Sequence, residues 1–423
     1  MFYYTYRDSL FISIEDQNND LFTSVTEEYC KTYKGYIYVL TKMNSKFSRR
    51  SFIINHPSLL FAKEESIDLL SINNKYSYSY PQWLINAINE ERVLSLNTNY
   101  FNYLEVLNNN PSKKKWNVTV VGLGDVGATL LTGLKLLGND CIETLGIFDL
   151  DKNKVERLNF ELNQILSCDG KENSMKIIPI EEKNLFNCDM FVFCVSVGIP
   201  PIGKEDVDVR LVQFEGNRKV LKHYGTLARN SNYKGIFAVV SDPVDLLCMS
   251  LFEDTNKDCN NNWDFKGLAP EQIKGYGLGV MNARAVYYSS LREDTKSYIK
   301  EGRAFGPHGE GLIIANSIEN YDDEISDYLT QKTKSANLDV RATGFKPYIA
   351  PSLSSGALSL IDTIKGNYHY SANFINGVYM GSKNKLIHGC TENELLTLPN
   401  ELICKLHNTF DLLKSVYANS NNT

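Results

Sequence analysis

Two regimes of hydrophobic patterning divide the chain. From residue 116 onward, apolar runs alternate with amphipathic stretches: NVTVVGLGDVG, then ATLLTGLKLLG, then TLGIFDLD. The alternation continues through KIIPI, MFVFCVSVG and IFAVVSDP, each ending in turn chemistry. Apolar strands alternating with amphipathic helices predict a parallel sheet covered on both faces, a doubly wound α/β domain. Before it, residues 1–110 are rich in tyrosine; LFISIE and GYIYVLT predict strands, and PQWLINAINEERVLSL predicts a helix. This reads as a small α+β module without a catalytic motif. The asparagine- and lysine-rich LEVLNNNPSKKKW places a junction near Pro111. The expected division is 1–112 for this module, 113–265 for a nucleotide-binding domain and 266–423 for an α+β substrate domain.

Composition narrows the function classes. With 423 residues, 43% of them hydrophobic, the chain has enough apolar side chains for a full core. The opening MFYYTYRDSLF lacks the basic start and apolar run of a signal peptide, and no stretch reaches membrane-spanning length, so a cytoplasmic location is expected. Nine cysteines without a CxxC pair speak against a disulfide framework or a zinc site. A formal charge of −6 offers no electrostatic footprint for nucleic acid, which leaves small molecules or proteins as partners.

The first turn of the α/β region carries the cofactor chemistry. Gly122, Gly124 and Gly127 form GLGDVG after the strand Val118–Val121 and before a helix, with Asp125 and Val126 between them. The first glycine permits a tight turn, the second lets backbone approach a pyrophosphate, and the third lets helix pack on strand. The helix N-terminus then presents unpaired N–H groups to the phosphates. Asp149, at the end of the next strand and about 20 residues on, would accept from the ribose hydroxyls of NAD and repel the extra phosphate of NADP. Asp151 is the alternative for that role. NAD(H) is the expected cofactor, on a Rossmann-type sheet.

From residue 116 to the C-terminus, motifs follow the order of the lactate/malate dehydrogenase family. VTVVGLGDVG resembles its first strand and phosphate turn, MFVFCVSVGIP its fourth strand and mobile loop, RLVQFEGNRKVL the helix after that loop, and VVSDPVDLL its SNPVD turn. IKGYGLGVMNARAVYY is similar to the segment with its substrate arginine, and GPHGEG to its catalytic histidine turn. ATGFKPYIAPSLSSGALSLI and NGVYMGSKNKL resemble its substrate-wall helix and final hairpin. The resemblance implies a Rossmann-type domain followed by a substrate domain, in a dimer or tetramer. Arg284, twenty-four residues before His308, would grip a substrate carboxylate. Arg210 would polarise the substrate carbonyl and His308 would transfer the proton. Val197 and Gly198 join the glycine turn as cofactor contacts.

Departures from the family pattern point to a changed substrate. The aspartate that orients the family's histidine is replaced by Met281, whose thioether cannot accept a strong ionic hydrogen bond and which is expected to contact substrate instead. The asparagine of SNPVD is Asp242. That carboxylate would orient His308 in place of the missing acid, hold a protonated amine or imine, or repel an ordinary 2-oxo acid. Pro200, Pro201 and Ile202 occupy the loop where malate enzymes carry a second substrate arginine. Lys346, on the expected substrate-wall helix, either meets a second acidic group or points outward. LFEDTNKDCNNNWDFKGLAPEQ is expected to be a surface loop.

The leading expectation is an NAD-dependent oxidoreductase acting on a C=O, or a C=N, next to a carboxylate or amide carbonyl. One alternative is a non-catalytic NAD(H)-binding sensor or assembly protein. Another is a tailoring reductase for a peptide or carrier-bound substrate recruited by the N-terminal module.

Overall fold

The structure, a computed structural model, describes the chain except residues 18–19, 73–78, 109–113, 167–174, 198–208 and 421–423, with side chains of 68, 209–212 and 420 also left out. Pro111, Gly198, Pro200, Pro201 and Ile202 therefore lie outside the described residues, and Arg210 is described in its backbone alone.

The alternating pattern after residue 116 folds as expected. Six parallel strands run in the spatial order Lys176–Pro179, Ile142–Phe148, Trp116–Val121, Met190–Phe193, Ile236–Val239, Ile273–Gly275. The chain turns from one half of the sheet to the other between Trp116–Val121 and Met190–Phe193, and a crevice at the carboxyl ends of such neighbouring strands is where dinucleotides bind. The central strands are apolar because both faces are covered: Met190–Phe193 and Ile236–Val239 are buried at every position. The sheet then continues with antiparallel strands His369–Ile375, Val378–Ile387 and Cys390–Asn393, giving nine in all.

The N-terminal residues build a second, six-stranded sheet. Ser9–Ser13, Ile37–Thr41 and Val93–Asn97 are its parallel strands, and Phe2–Tyr6 and Ser51–Ile53 pair antiparallel with their neighbours. The long helix expected over PQWLINAINEERVLSL is cut in two. A helix spans Gln82–Asn89, Glu91 takes a left-handed φ of +56°, and Val93–Asn97 is a fully buried strand. Burial on both faces of a central strand outweighs the local helical pattern there.

The two sheets share one apolar core, which runs from Leu10, Val39 and Val93 through Phe237 and Val244 to Phe374 and Tyr379. Buried ion pairs accompany it. Arg49 donates to Glu65 at 3.0 Å within the first module, and Arg50 donates across the junction to Glu271 at 3.0 Å. Glu271 belongs to the segment expected to be a surface loop, and that expectation is corrected. Its tip, 259–262, is exposed, but Trp263 stacks on Phe265, and Asn256 and residues 268–272 are buried. Its aromatic and acidic residues pack against the N-terminal module, as the Tyr100–Phe265 and Arg50–Glu271 contacts illustrate.

Candidate active site

The glycine turn has the form that a phosphate cradle requires. Gly122 has φ +90°, and a Cβ there would lie 2.6 Å from the backbone nitrogen of Val195; one on Gly127 would lie 2.0 Å from the carbonyl oxygen of Gly122. Neither position admits another residue. Gly124 caps the helix Asp125–Leu137 and has no atom within 4 Å of where a Cβ would stand, so the approach to the helix N-terminus is open. Asp149 accepts from the backbone N–H of Leu123 at 2.7 Å and of Asp151 at 2.9 Å, which fastens the second strand's end to the turn. Each carboxylate oxygen retains a second acceptor position for a ribose hydroxyl. Asp151 is occupied as the N-cap of helix Lys152–Asn163. An open cradle with an acid at the next strand's end fits a dinucleotide.

Beyond the carboxyl ends of the central strands, three of the expected residues come together. His308 stands in the turn between strands Arg303–Phe305 and Ile313–Ala315, and its Nδ1 is 2.9 Å from Oδ1 of Asp242. The His308 side chain is 17% exposed and that of Asp242 54%, so the histidine is walled in while the acid faces the cleft. Arg284 is on the helix Leu278–Ser289, where the Asp242 carboxylate is close enough to act on its charge. Burial lowers the pKa of its guanidinium, opposed by Tyr288 and Asp242. No carboxylate among the described residues lies within ion-pair distance of Arg284; its Nη1 donates to Sδ of Met281 at 3.7 Å.

Residues that the sequence reading passed over hold this arrangement. Asn217, fully buried on the helix Val209–Asn230, accepts from the Val197 N–H at 2.7 Å and donates to the Asp242 carbonyl at 2.6 Å. Ser241 donates to the Val195 carbonyl at 2.6 Å. Together they tie the end of strand Met190–Phe193 to the Asp242–Pro243 turn. Asp245, buried in the first turn of helix Val244–Thr255, accepts from the His308 backbone N–H at 3.3 Å. Burial pushes its carboxyl up to about 7, with the His308 contact opposing. Gly277 precedes the Arg284 helix, and a Cβ there would stand 2.8 Å from the Cβ of His308, so the helix approaches the histidine only through glycine. Asp245 had a faint signal as an acid in an otherwise apolar helical segment, whereas Asn217 lies among polar residues and had none; their partners are distant in sequence.

Two substrate-site expectations are corrected. Met281 is 3% exposed in an apolar cluster with Leu278, Ala285 and Tyr298, so it is a core side chain that supports Arg284 from beneath. Lys346 precedes the substrate-wall segment, a π-helix over Pro351–Leu358 that continues as Ser359–Lys365, and is not part of it. Gly344, with φ +86°, turns the chain after the helix Asp323–Ala342, and exposed Lys346 pairs with Asp125 at 3.3 Å beside the glycine turn. Val197 is exposed beyond the end of strand Met190–Phe193.

Residues 116–263 match the model for the lactate/malate dehydrogenase NAD-binding domain. Among relatives, an L-lactate dehydrogenase of Oceanobacillus iheyensis is 27% identical over 171 residues, 40% of this chain and 47% of the relative; this chain thus spans about half of that relative's length. One of Borrelia turicatae is 24% identical over 296 residues, 64% of this chain and 86% of the relative. The chain is similar to the lactate/malate dehydrogenase family, over the NAD-binding domain above all. Among solved structures, a lactate dehydrogenase from a deep-sea metagenome library superposes with a TM-score of 0.59 at 18% identity, covering 73% of this chain and all of that one. The malate dehydrogenase of Picrophilus torridus gives 0.55 at 15% identity, covering 73% and 98%. These structures have the family fold, and the domain at 116–263 binds NAD. Among the described residues no helix is long and apolar enough to cross a membrane.

Proposed function

We propose that this chain is an NAD-dependent dehydrogenase of the lactate/malate type whose proton-transfer group is His308, oriented by Asp242, and whose substrate carries a C=O or C=N beside a carboxylate or amide carbonyl. The observation that carries the reading is the 2.9 Å contact between Nδ1 of His308 and Asp242, beside an arginine with no acidic partner among the described residues. A carboxylate accepting at Nδ1 selects the ring tautomer with its proton there, which leaves Nε2 as the atom that exchanges a proton with substrate. It also sets a negative charge beside the imidazolium that proton uptake creates. Arg284, with its planar fork of donors unspent on protein carboxylates, binds the substrate carboxylate. Arg210, in the first turn of helix Val209–Asn230, is assigned the polarisation of the reacting carbonyl or imine. Bound NADH supplies the hydride in the reductive direction and NAD accepts it in the oxidative one. In reduction the substrate carbon gains hydride, its oxygen or nitrogen takes the proton from Nε2, and His308 is reprotonated from solvent. Following the family, the working form is a homo-oligomer.

The test is NADH oxidation with 2-oxo acids, the same acids with ammonium or a primary amine, and their amide-terminated analogues, using His308→Ala as control. Turnover of at least one class that falls with His308→Ala is expected. Tight NADH binding with no turnover on any class would sink the dehydrogenase reading in favour of a non-catalytic one.

A further inference from the structure

The N-terminal module has a cleft of its own. It measures about 280 Å³ and opens where the parallel strands Ser9–Ser13, Ile37–Thr41 and Val93–Asn97 end, lined by residues at or just beyond their carboxyl ends, among them Ser13, Thr41 and Thr98. The carboxyl edge of parallel strands is where an open α/β sheet receives small ligands. Its size is near the lower end of small-molecule sites.

The lining combines an anion grip with an apolar wall. Ser13 is 2% exposed; its Oγ accepts from the backbone N–H of Glu15 and from Nε2 of Gln17, both at 3.1 Å. Among the described residues no group accepts a hydrogen bond from its hydroxyl. Two lysines line the cleft. Lys42 is neutralised by Glu15 at 2.9 Å, whereas Lys63 has no carboxylate within ion-pair distance among the described residues. The apolar side comprises buried Leu40, Ile14 at 55% exposure, and Phe61. Phe61 takes φ +55°, a region that an aromatic residue rarely adopts, and its ring lies 6.4 Å from that of Tyr80. Such backbone strain collects where a side chain is held for a ligand.

We propose that this cleft is a second binding site, separate from the dehydrogenase site, for a small carboxylate with an apolar body. The carboxylate sits between the Lys63 ammonium and the Ser13 hydroxyl, and the body lies against Leu40, Ile14 and Phe61. A charged grip alone on an exposed lysine is worth little in water, so affinity depends on both parts.

The experiment uses full-length Arg284→Met protein, which disables the other carboxylate grip, titrated with 3-phenylpropanoate by calorimetry and ligand-observed NMR. Saturable binding is expected, weakened about tenfold or more by Lys63→Met and by Phe61→Gly. Phe61 also packs against the apolar core, so Phe61→Gly is read beside Lys63→Met, a change at an exposed residue whose lost binding cannot be laid to unfolding. Acetate and 3-phenylpropanamide, each lacking one half of the recognised structure, should bind about tenfold or more weakly. No saturable binding, or binding indifferent to both substitutions, would overturn the proposal. Neither outcome bears on turnover at His308, which is assayed separately.

Discussion

Two clusters of charged residues in this molecule differ in the completeness of their pairing. At the junction of the two sheets, Arg49 and Glu65 are 2% and 0% exposed, Arg50 and Glu271 are 8% and 1%, and each guanidinium meets a carboxylate at 3.0 Å. Burial still pushes the Glu65 carboxyl upward against the charge of Arg49, the mark of a pair whose desolvation competes with its attraction. In the cleft around His308, Arg284 has no acid within ion-pair distance among the described residues, and Asp242 is half exposed. The same residue types serve structure where their partners are inside the fold, and are free to serve a ligand where a partner is missing. Partner inventory, more than burial or residue type, separates the two regions.

Breaking the junction should produce the largest change. Arg50→Met leaves Glu271 buried without its cation and should cost about 3–5 kcal/mol of stability, while Arg50→Met with Glu271→Leu recovers most of it. Chemical denaturation of the three proteins checks this; equal stability of the single and double variants would erase the distinction between the regions.

In the cleft, loss should appear in rate and leave stability nearly intact. His308→Gln should lower kcat by about 10²–10⁴-fold with NADH affinity retained, as steady-state kinetics beside NADH fluorescence titration will tell.

A smaller effect sharpens the contrast through pH, because each region buries one group that titrates near neutrality. Asp245 has a folded pKa of about 7 against an ordinary 3.8, so the folded protein keeps a proton that the unfolded chain has released. Stability therefore falls as pH rises between those values. Lys274 donates to Asn373 and Asn384 at 2.8 and 2.9 Å, and burial lowers its pKa from 10.5 to about 7. The unfolded chain then holds the extra proton, so stability rises between pH 7 and 10.5. Asp245→Asn should flatten the acid-side slope and Lys274→Met the alkaline-side slope, each by on the order of 1 kcal/mol per pH unit at most. Tm measured across pH resolves the two signs; identical profiles for wild type and both variants would refute the assignment.

The sequence carried the local features of the site and few of its long-range ones. GLGDVG and Asp149 were legible because turn, helix and acid are bound by spacing, and the order of motifs brought His308, Arg284 and Asp242 into view. Lys346 was misread because a shift of a few positions moves a residue from a helix to the loop before it. Asn217 and Asp245 were overlooked because what makes them informative is a partner 20 to 63 residues away in sequence. The strand Val93–Asn97 and the packed Trp263–Phe265 segment were masked for a related reason, since burial there is supplied by another part of the chain.

The central claim is that Asp242 does for His308 what another acid does elsewhere in the family. Asp242→Asn measures it most directly, because the amide preserves shape and removes the charge at Nδ1. With the substrate identified by the panel, kcat at saturating NADH should fall about 10–100-fold, and NADH affinity and Tm should stay as in wild type. An unchanged kcat in that variant would contradict the account.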